Sequence, residues 1–260
     1  MTSHPAFGDA DNVVSLDQPK VACKDCSLFQ LCLPVGINGD ELLALDSIIQ
    51  RRQPLKRGDY LYQAGAPFQA LYAVRSGSLK SYATTEEGLE QVTGFHLPGE
   101  LLGLEAINLQ HHPCSARALE STSFCEIPFE RLEELSQHLP GLHHQLLNIM
   151  SREILHDHSL LMLLGKKSAE ERLAALMLSL SSRFNQRGFS ATDFYLSMSR
   201  NDIASYLGLA VETVSRLFTR FQDDGLLAVQ RKHITITDLT RLKQMANARQ
   251  SEKPQIFGQI

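Results

Sequence analysis

The sequence predicts an α+β protein in three parts: an N-terminal β-roll, one long helix and a C-terminal helix-turn-helix. Three observations carry this. Between Pro54 and Phe129, seven glycines punctuate short alternating or apolar runs, the pattern of many short strands folding back on one another. Pro140 to Leu164 has no internal Pro, has Gly only at position 141 and is followed by Gly165, so it reads as one helix closed at that glycine. From Arg200 to Asp223, RNDIASYLGLAVETVSRLFTRFQD places a small residue, a turn glycine and apolar residues where two crossing helices need them.

Length and composition frame these elements. With 260 residues, 43% of them hydrophobic and 21% charged, the chain can form two ordinary domains and is neither collagenous nor wholly disordered. Apolar runs such as Leu160 to Leu164 are too short to cross a bilayer, so no membrane partner is expected. The first twenty residues lack a basic stretch followed by an apolar one, and the expected location is cytoplasmic. Residues 1–165 carry 11 Lys and Arg against 20 Asp and Glu, a net −9, whereas residues 166–260 carry 14 against 9, a net +5. A polyanion should therefore meet the C-terminal third.

Residues 1–20 have no apolar periodicity and are expected to be a disordered tail. Residues 21–139 then form a cysteine segment and the roll. Cys23, Cys26 and Cys32 stand in ACKDCSLFQLC, a C-x2-C-x5-C run suited to three corners of one inorganic centre. A fourth ligand must come from elsewhere. Zinc usually takes two short knuckles, for which only the loose group His111, His112 and Cys114 is at hand. An iron–sulfur cluster accepts looser spacing, with Cys114 or Cys125 as its fourth thiolate, and the spacing favours it over zinc. Strands are expected around Tyr60–Tyr62, Leu71–Val74, Leu79–Tyr82 and Gln91–Phe95.

Residues 140–165 form the long helix. Leu147, Met150, Ile154, Asp157, Leu161 and Leu164 recur at alternating spacings of three and four, a heptad seam suited to a two-fold dimer. Its carboxylate, Asp157, would face its own copy and weaken the pairing. On the opposite face Leu142, Leu146, Ile149, Leu160 and Leu163 are expected to pack on the roll. Residues 166–249 hold the helix-turn-helix, followed by a strand pair near Leu227 to Ile236, and residues 250–260 form a loose tail. Ser199 with Asp202 three residues on makes a capping box for the first helix. Ala204 is the crossing residue, Gly208 the turn, and Ile203, Leu207, Leu209, Val214 and Leu217 the interior. In the second helix Val214, Leu217, Phe218 and Phe221 form the buried stripe, leaving Glu212, Ser215, Arg216 and Thr219 on the other face. That face suits the major groove of double-stranded DNA. Arg216 can pair with guanine O6 and N7, Glu212 can accept from cytosine N4, and Arg220 one turn on is placed for phosphate. Ala210 is a poor cap for this helix.

Taken together, CKDCSLFQLC, VTGFHLPGEL, ALESTSFCEIPFERLEELS, LMLLGKKSAEERLAA and YLGLAVETVSRLFTRFQ closely resemble the oxygen-sensing branch of the cyclic AMP receptor superfamily: the fumarate and nitrate reduction regulator and the anaerobic regulator of arginine deiminase. The likeness runs from about Cys23 to Leu242. It implies a cyclic-nucleotide-binding-like roll, a dimerisation helix, a winged helix-turn-helix and no enzymatic activity. It further implies a [4Fe-4S] cluster whose fourth thiolate is Cys125, leaving Cys114 spare. Family members with an intact cluster form homodimers, bind inverted TTGAT-type half-sites and recruit RNA polymerase to control anaerobic metabolism genes; oxygen converts the cluster to [2Fe-2S] and the dimer separates. The Asp in the seam matches the family, where it disfavours the cluster-free dimer. His143 and Ala210 depart from the family pattern, which often has Arg and Thr there. The alternative is a cyclic-nucleotide-responsive regulator, because Gly99-Glu100-Leu101-Leu102-Gly103 is similar to a phosphate cassette. The Arg-Ser pair that neutralises the phosphate is missing, with His112-Pro113 in its place and Arg117 displaced. No H-E-x-x-H, G-x-S-x-G or Gly-rich phosphate loop supports an enzyme.

Overall fold

The computed structural model describes residues 22–37 and 39–247; the two expected tails, 1–20 and 250–260, lie outside them. A 3-10 turn at Cys23–Asp25 leads through a loop to helix α1 (Gly39–Ile48). Eight strands follow: β1 (Gln50–Arg51), β2 (Tyr60–Tyr62), β3 (Ala70–Ser76), β4 (Leu79–Thr84), β5 (Glu90–His96), β6 (Leu101–Leu102), β7 (Ser115–Ala118) and β8 (Ser123–Pro128). They form two four-stranded antiparallel sheets, ordered β1-β8-β3-β6 and β2-β7-β4-β5. This is the expected roll, and the four strands anticipated from alternation lie in β2, β3, β4 and β5. The turn from β3 to β4 requires Gly77: its φ is +78°, and a Cβ there would stand 2.3 Å from the Ser121 carbonyl oxygen.

Helix α2 (Phe129–His138) is followed directly by α3 (Pro140–Lys166), with Pro140 in the first turn, where no N–H is needed. Leu142 and Ile149 are buried, and Leu146 partly so, in a core shared with Leu45, Leu71, Ile127 and Leu132. Leu160 and Leu163 pack on a second core, in which Tyr82, Val92 and Phe95 of the roll meet the C-terminal helices. Gly165 does not close the helix. Its φ is not left-handed, α3 runs on to Lys166, and the chain turns at Lys167, because Ser168 and Glu171 form a capping box that starts α4 (Ala169–Gln186).

The remaining elements are β9 (Asp193–Tyr195), α5 (Arg200–Leu207), α6 (Val211–Asp223), β10 (Leu227–Gln230), β11 (His233–Ile236) and α7 (Leu239–Ala246). The strand pair β10-β11 gains β9 as a third member, a partner that local alternation did not reveal. Ser199 and Asp202 form the capping box of α5, and Gly208 ends that helix in the left-handed conformation at φ 60°.

Candidate functional site

Three surfaces could carry function. The first is built on thiols. Cys23 opens the 3-10 turn, and its backbone N–H donates to Asp46 Oδ1 at 3.0 Å; Arg51 Nη2 holds the same oxygen at 2.8 Å. Sequence reasoning missed Asp46 and Arg51, since nothing local links α1 to the cysteine loop. Cys26 and Cys32 follow on a run of tight turns, in which the Phe29 N–H donates to the Cys26 carbonyl at 3.0 Å and the Cys32 N–H to the Leu28 carbonyl at 3.0 Å. Cys125 comes from β8, where it lies opposite Arg51 of β1 on one side and Ala73 of β3 on the other. All four cysteines line one cavity of about 430 Å³, including its open mouth, together with apolar residues such as Phe29, Ile49 and Ile127, and with Arg75.

Cys114 is elsewhere. It is buried among Tyr62, Val74 and Leu102, and its thiol donates to Glu105 Oε1 at 3.2 Å. His111 is exposed, with Nδ1 2.7 Å from the Leu109 carbonyl oxygen. The His112 ring stacks on Tyr62 at 3.7 Å. None of these three joins the cysteine cavity.

Burial pushes the Cys32 thiol up to about 12, the charges of Cys125 and Cys26 adding to it against the Leu33 N–H. Burial also raises Cys23, helped by the hydrogen bond with Asp46, and raises Cys125 against the pull of Arg51 and Arg75. Without metal these three sulfurs are therefore neutral thiols, and loading a metal centre must expel protons. Among the described residues no three His, Cys, Asp or Glu side chains converge on a position for a single metal ion. A cavity with sulfurs spread around its wall suits a polynuclear centre, whose thiolates each bind a different iron, better than one zinc ion. The donor set, the dry lining and the flanking guanidiniums fit such a group.

The second surface is α6. Val214, Leu217, Phe218 and Phe221 are buried against α5 and α4, and the Arg200 guanidinium lies 3.3 Å from the Phe218 ring centroid, tying the two helices. Glu212, Ser215, Arg216, Thr219 and Arg220 are all exposed on the outer face. Their states differ. Ser215 and Thr219 donate their hydroxyls to the carbonyls of Val211 and Ser215, so only their lone pairs face outward. Arg220 pairs with Glu170 of α4 and lies 3.7 Å from Asp224. Arg216 forms no ion pair among the described residues and keeps its donor fork available for a bidentate contact. Ala210 caps α6 with no side-chain bond. A further residue, unmarked by local sequence, is Arg172 of α4. Its guanidinium donates to the carbonyls of Leu164 at 2.6 Å, Lys167 at 3.0 Å and Leu207 at 2.9 Å, joining the end of α3 to the end of α5.

The third surface is the outer face of α3. Leu147, Met150, Ile154 and Leu161 are exposed, Ile154 to 56% and Leu161 to 67%, with exposed Asp157 between them. Leu155 and Met162 widen the strip, which a single heptad register overlooks. Leu164 is only half-buried and leans on the Gly208 turn. So much uncovered aliphatic surface on one helix face calls for a partner.

The chain matches two family models: the Cyclic nucleotide-binding domain over residues 52–138 and the Crp-like helix-turn-helix domain over residues 171–245. It is 53% identical over 228 residues to the Transcriptional activator protein anr of Pseudomonas aeruginosa, covering 88% of this chain and 93% of that one. It is likewise 53% identical over 226 residues to the Fumarate and nitrate reduction regulatory protein of Escherichia coli (strain K12), covering 87% and 90%. Among solved structures, FixK2 from Bradyrhizobium japonicum superposes with a TM-score of 0.71 at 29% identity, covering 76% of this chain and 97% of that one.

Proposed function

Since the chain belongs to the Crp/FNR family of transcription regulators, in its FNR and Anr branch, we propose that it is a DNA-binding regulator of anaerobic metabolism genes whose activity is set by oxygen through a [4Fe-4S] cluster on Cys23, Cys26, Cys32 and Cys125. The observation that carries this reading is the meeting of those four thiols, three from a loop and one from a central strand, around a single apolar cavity. When bound, the cluster supplies an oxygen-labile inorganic centre. The chain's own residues do the rest. Asp46 and Arg51 anchor the loop at Cys23, β8 holds Cys125 rigidly, the aliphatic wall limits water, and Arg51 and Arg75 offset negative charge.

Residues 21–139 then act as sensor, 140–165 as dimerisation helix and 166–249 as the DNA-binding part. A homodimer forms along Leu147, Met150, Ile154, Leu161 and Leu164, with Asp157 keeping it marginal, so that an intact cluster is needed to tip the balance. Two copies of α6 read inverted TTGAT-type half-sites through Glu212, Ser215 and Arg216, with Thr219 alongside and Arg220 on phosphate, and the bound dimer recruits RNA polymerase in the cytoplasm. No helix among the described residues is long and apolar enough to cross a membrane.

Single Cys→Ser proteins purified without oxygen test the ligand set. Iron, acid-labile sulfide and brown colour should be lost at positions 23, 26, 32 and 125 and kept at position 114. A full cluster in Cys125→Ser, with loss in Cys114→Ser, would sink the assignment. Against a cyclic nucleotide stand Arg117, which is paired with Glu90 at 3.3 Å, and His112, which is stacked on Tyr62 where a phosphate partner would be needed. Equilibrium dialysis with cyclic AMP should show no binding.

A further inference from the structure

Among the polar contacts that join the roll to the C-terminal helices, which include Ser205 with the backbone of Glu90 and Val92 and Ser78 with Ser197, two are anchors built on buried charge. In the first, Lys80 Nζ on β4, almost wholly buried, lies 2.8 Å from Asp202 Oδ1 on α5 and 3.0 Å from Glu90 Oε2. The second is Glu100, in the turn between β5 and β6. Its carboxylate accepts from Arg183 Nε at 3.0 Å and Nη2 at 2.5 Å, and from Arg187 Nη2 at 2.6 Å. The same guanidiniums bind backbone beside it, Arg183 at the Phe95 carbonyl near the end of β5 and Arg187 at the Pro98 carbonyl in the turn at 2.7 Å. Burial alone would raise the Glu100 carboxyl; the two guanidiniums and the Leu97 N–H outweigh it and hold it below the usual carboxylate range. Arg183 lies in the last turn of α4 and Arg187 caps it, so one carboxylate fixes the end of the helix on which α6 and α7 pack.

The same turn abuts the thiol centre. Gly99 has φ +91°, and a Cβ on it would stand 2.8 Å from Leu31 Cβ, so its backbone rests on the residue immediately before Cys32. The Gly99 N–H donates to the Val74 carbonyl at 2.8 Å, and the Val74 N–H donates back to the Glu100 carbonyl at 3.0 Å. Val74 lines the cysteine cavity, and its neighbour Ala73 pairs with Cys125. The turn that carries Glu100 is therefore held on one side by Leu31 of the cysteine loop, on a second by Val74 in the cavity wall and on a third by Arg183 and Arg187 of the C-terminal part.

We infer that Glu100 is the positioning residue through which occupancy of the cysteine cavity sets the seating of α4, and with it the helix-turn-helix, within each protomer. This rests on the cluster assignment above. A ligated Cys32 keeps Leu31 against Gly99, the Leu97–Glu100 turn keeps its shape, and both arginines stay clamped; a released loop frees the turn and lets the end of α4 open. Such a route acts inside one chain, alongside any change in dimerisation, and needs a contiguous set of contacts with two arrangements.

The test compares anaerobically loaded protein with the same protein stripped by a chelator, following backbone hydrogen exchange in peptides covering residues 95–101 and 180–188, with iron and sulfide measured beside it. In the wild type, stripping should speed exchange at 180–188 about tenfold, since those amides report local opening. Glu100→Gln should load normally yet exchange fast whether loaded or stripped. Leu31→Ala, which leaves the ion pairs in place, should lose the loaded-state protection and decides the matter if Glu100→Gln does not fold. Lys80→Met, which breaks the other anchor, should keep the cluster dependence at 180–188, an outcome that a purely structural role for Glu100 would not produce. A loaded wild type whose exchange at 180–188 is unmoved by stripping overturns the inference alone, as does a tenfold response retained in Glu100→Gln. A protein that takes up no iron overturns the cluster reading with it.

Discussion

Arg172 is where a single substitution should be felt most clearly across the junction of the long helix and the helix-turn-helix. Its three donors satisfy the carbonyls of Leu164, Lys167 and Leu207, the ends of two helices whose last carbonyls have no partner within the helix. Arg172→Met keeps the aliphatic stem and removes all three bonds. Hydrogen bonds to charged groups contribute about 1.5–3 kcal/mol each. Arg172 is only partly buried and water can reach the freed carbonyls, so the loss should total about 3–5 kcal/mol, below the simple sum. For a chain of this size each kcal/mol moves Tm by about 2–4 °C, and the expected fall is about 6–20 °C. Calorimetry and urea titration on metal-free protein measure it. Anaerobic iron content should be unchanged, because Arg172 is remote from the cysteine cavity, while affinity for a half-site should drop as α5 and α6 lose their tie to α3. A Tm shift below about 2 °C would refute the reasoning, meaning that water or a neighbour replaces the guanidinium at little cost.

Asp157→Ala should dimerise and bind DNA even in air, because two carboxylates about 4–8 Å apart at an effective dielectric near 20 repel by about 2–4 kcal/mol; analytical ultracentrifugation of aerobic protein checks this, and a monomer indistinguishable from wild type would place Asp157 away from the interface. Arg216→Ala should cost about 1–3 kcal/mol at a TTGAT-type site and relax preference at the guanine. Arg220→Ala should weaken binding to all sequences alike and lower the salt slope by about one; Glu170→Gln, which frees Arg220 from its ion pair, should instead strengthen binding modestly at low salt. His96, whose burial pushes its pKa down to about 4, stays neutral in the fold while the unfolded chain takes up a proton near pH 6.5. Stability should therefore be full above pH 6.5 and decline as pH falls towards 4, by up to about 3 kcal/mol, and His96→Asn should flatten that slope in urea titrations.

Much of the architecture was legible because its causes are local. The Ser199–Asp202 capping box, the left-handed Gly208 and the apolar stripe of α6 are each specified within a few residues, and the folded chain has them as read. The strands of the roll announced themselves in the same way, through alternation between glycines. Where partners are distant, local reading ran out. Gly165 looked like a helix stop, but the capping box at Ser168 and the guanidinium of Arg172 moved the end of α3 beyond it. Leu160 and Leu163 lie on the inner face of α3 by periodicity, but periodicity could not disclose that the core they meet is shared between the roll and the C-terminal helices. Arg220 had the right helical phase for phosphate, yet phase could not disclose Glu170 on α4, fifty residues away in the chain. Glu100 sat in a cassette-like run and proved to be gripped by two arginines from a helix more than eighty residues on.

The cysteines draw the line most sharply. Chain spacing brought Cys23, Cys26 and Cys32 together, since residues three and six apart on a tight loop cannot separate far. It could not choose between Cys114 and Cys125; that choice came only from family resemblance. In the tertiary structure the two part because β8 is a central strand between β1 and β3, which brings Cys125 to the wall facing the loop, whereas Cys114 precedes β7 in the other sheet and turns into a different core. Helical phase, capping and turn chemistry are properties of a few adjacent residues and can be read along the chain. Strand register and domain docking arise from contacts between segments far apart, and only the folded chain decides which side chains they bring face to face.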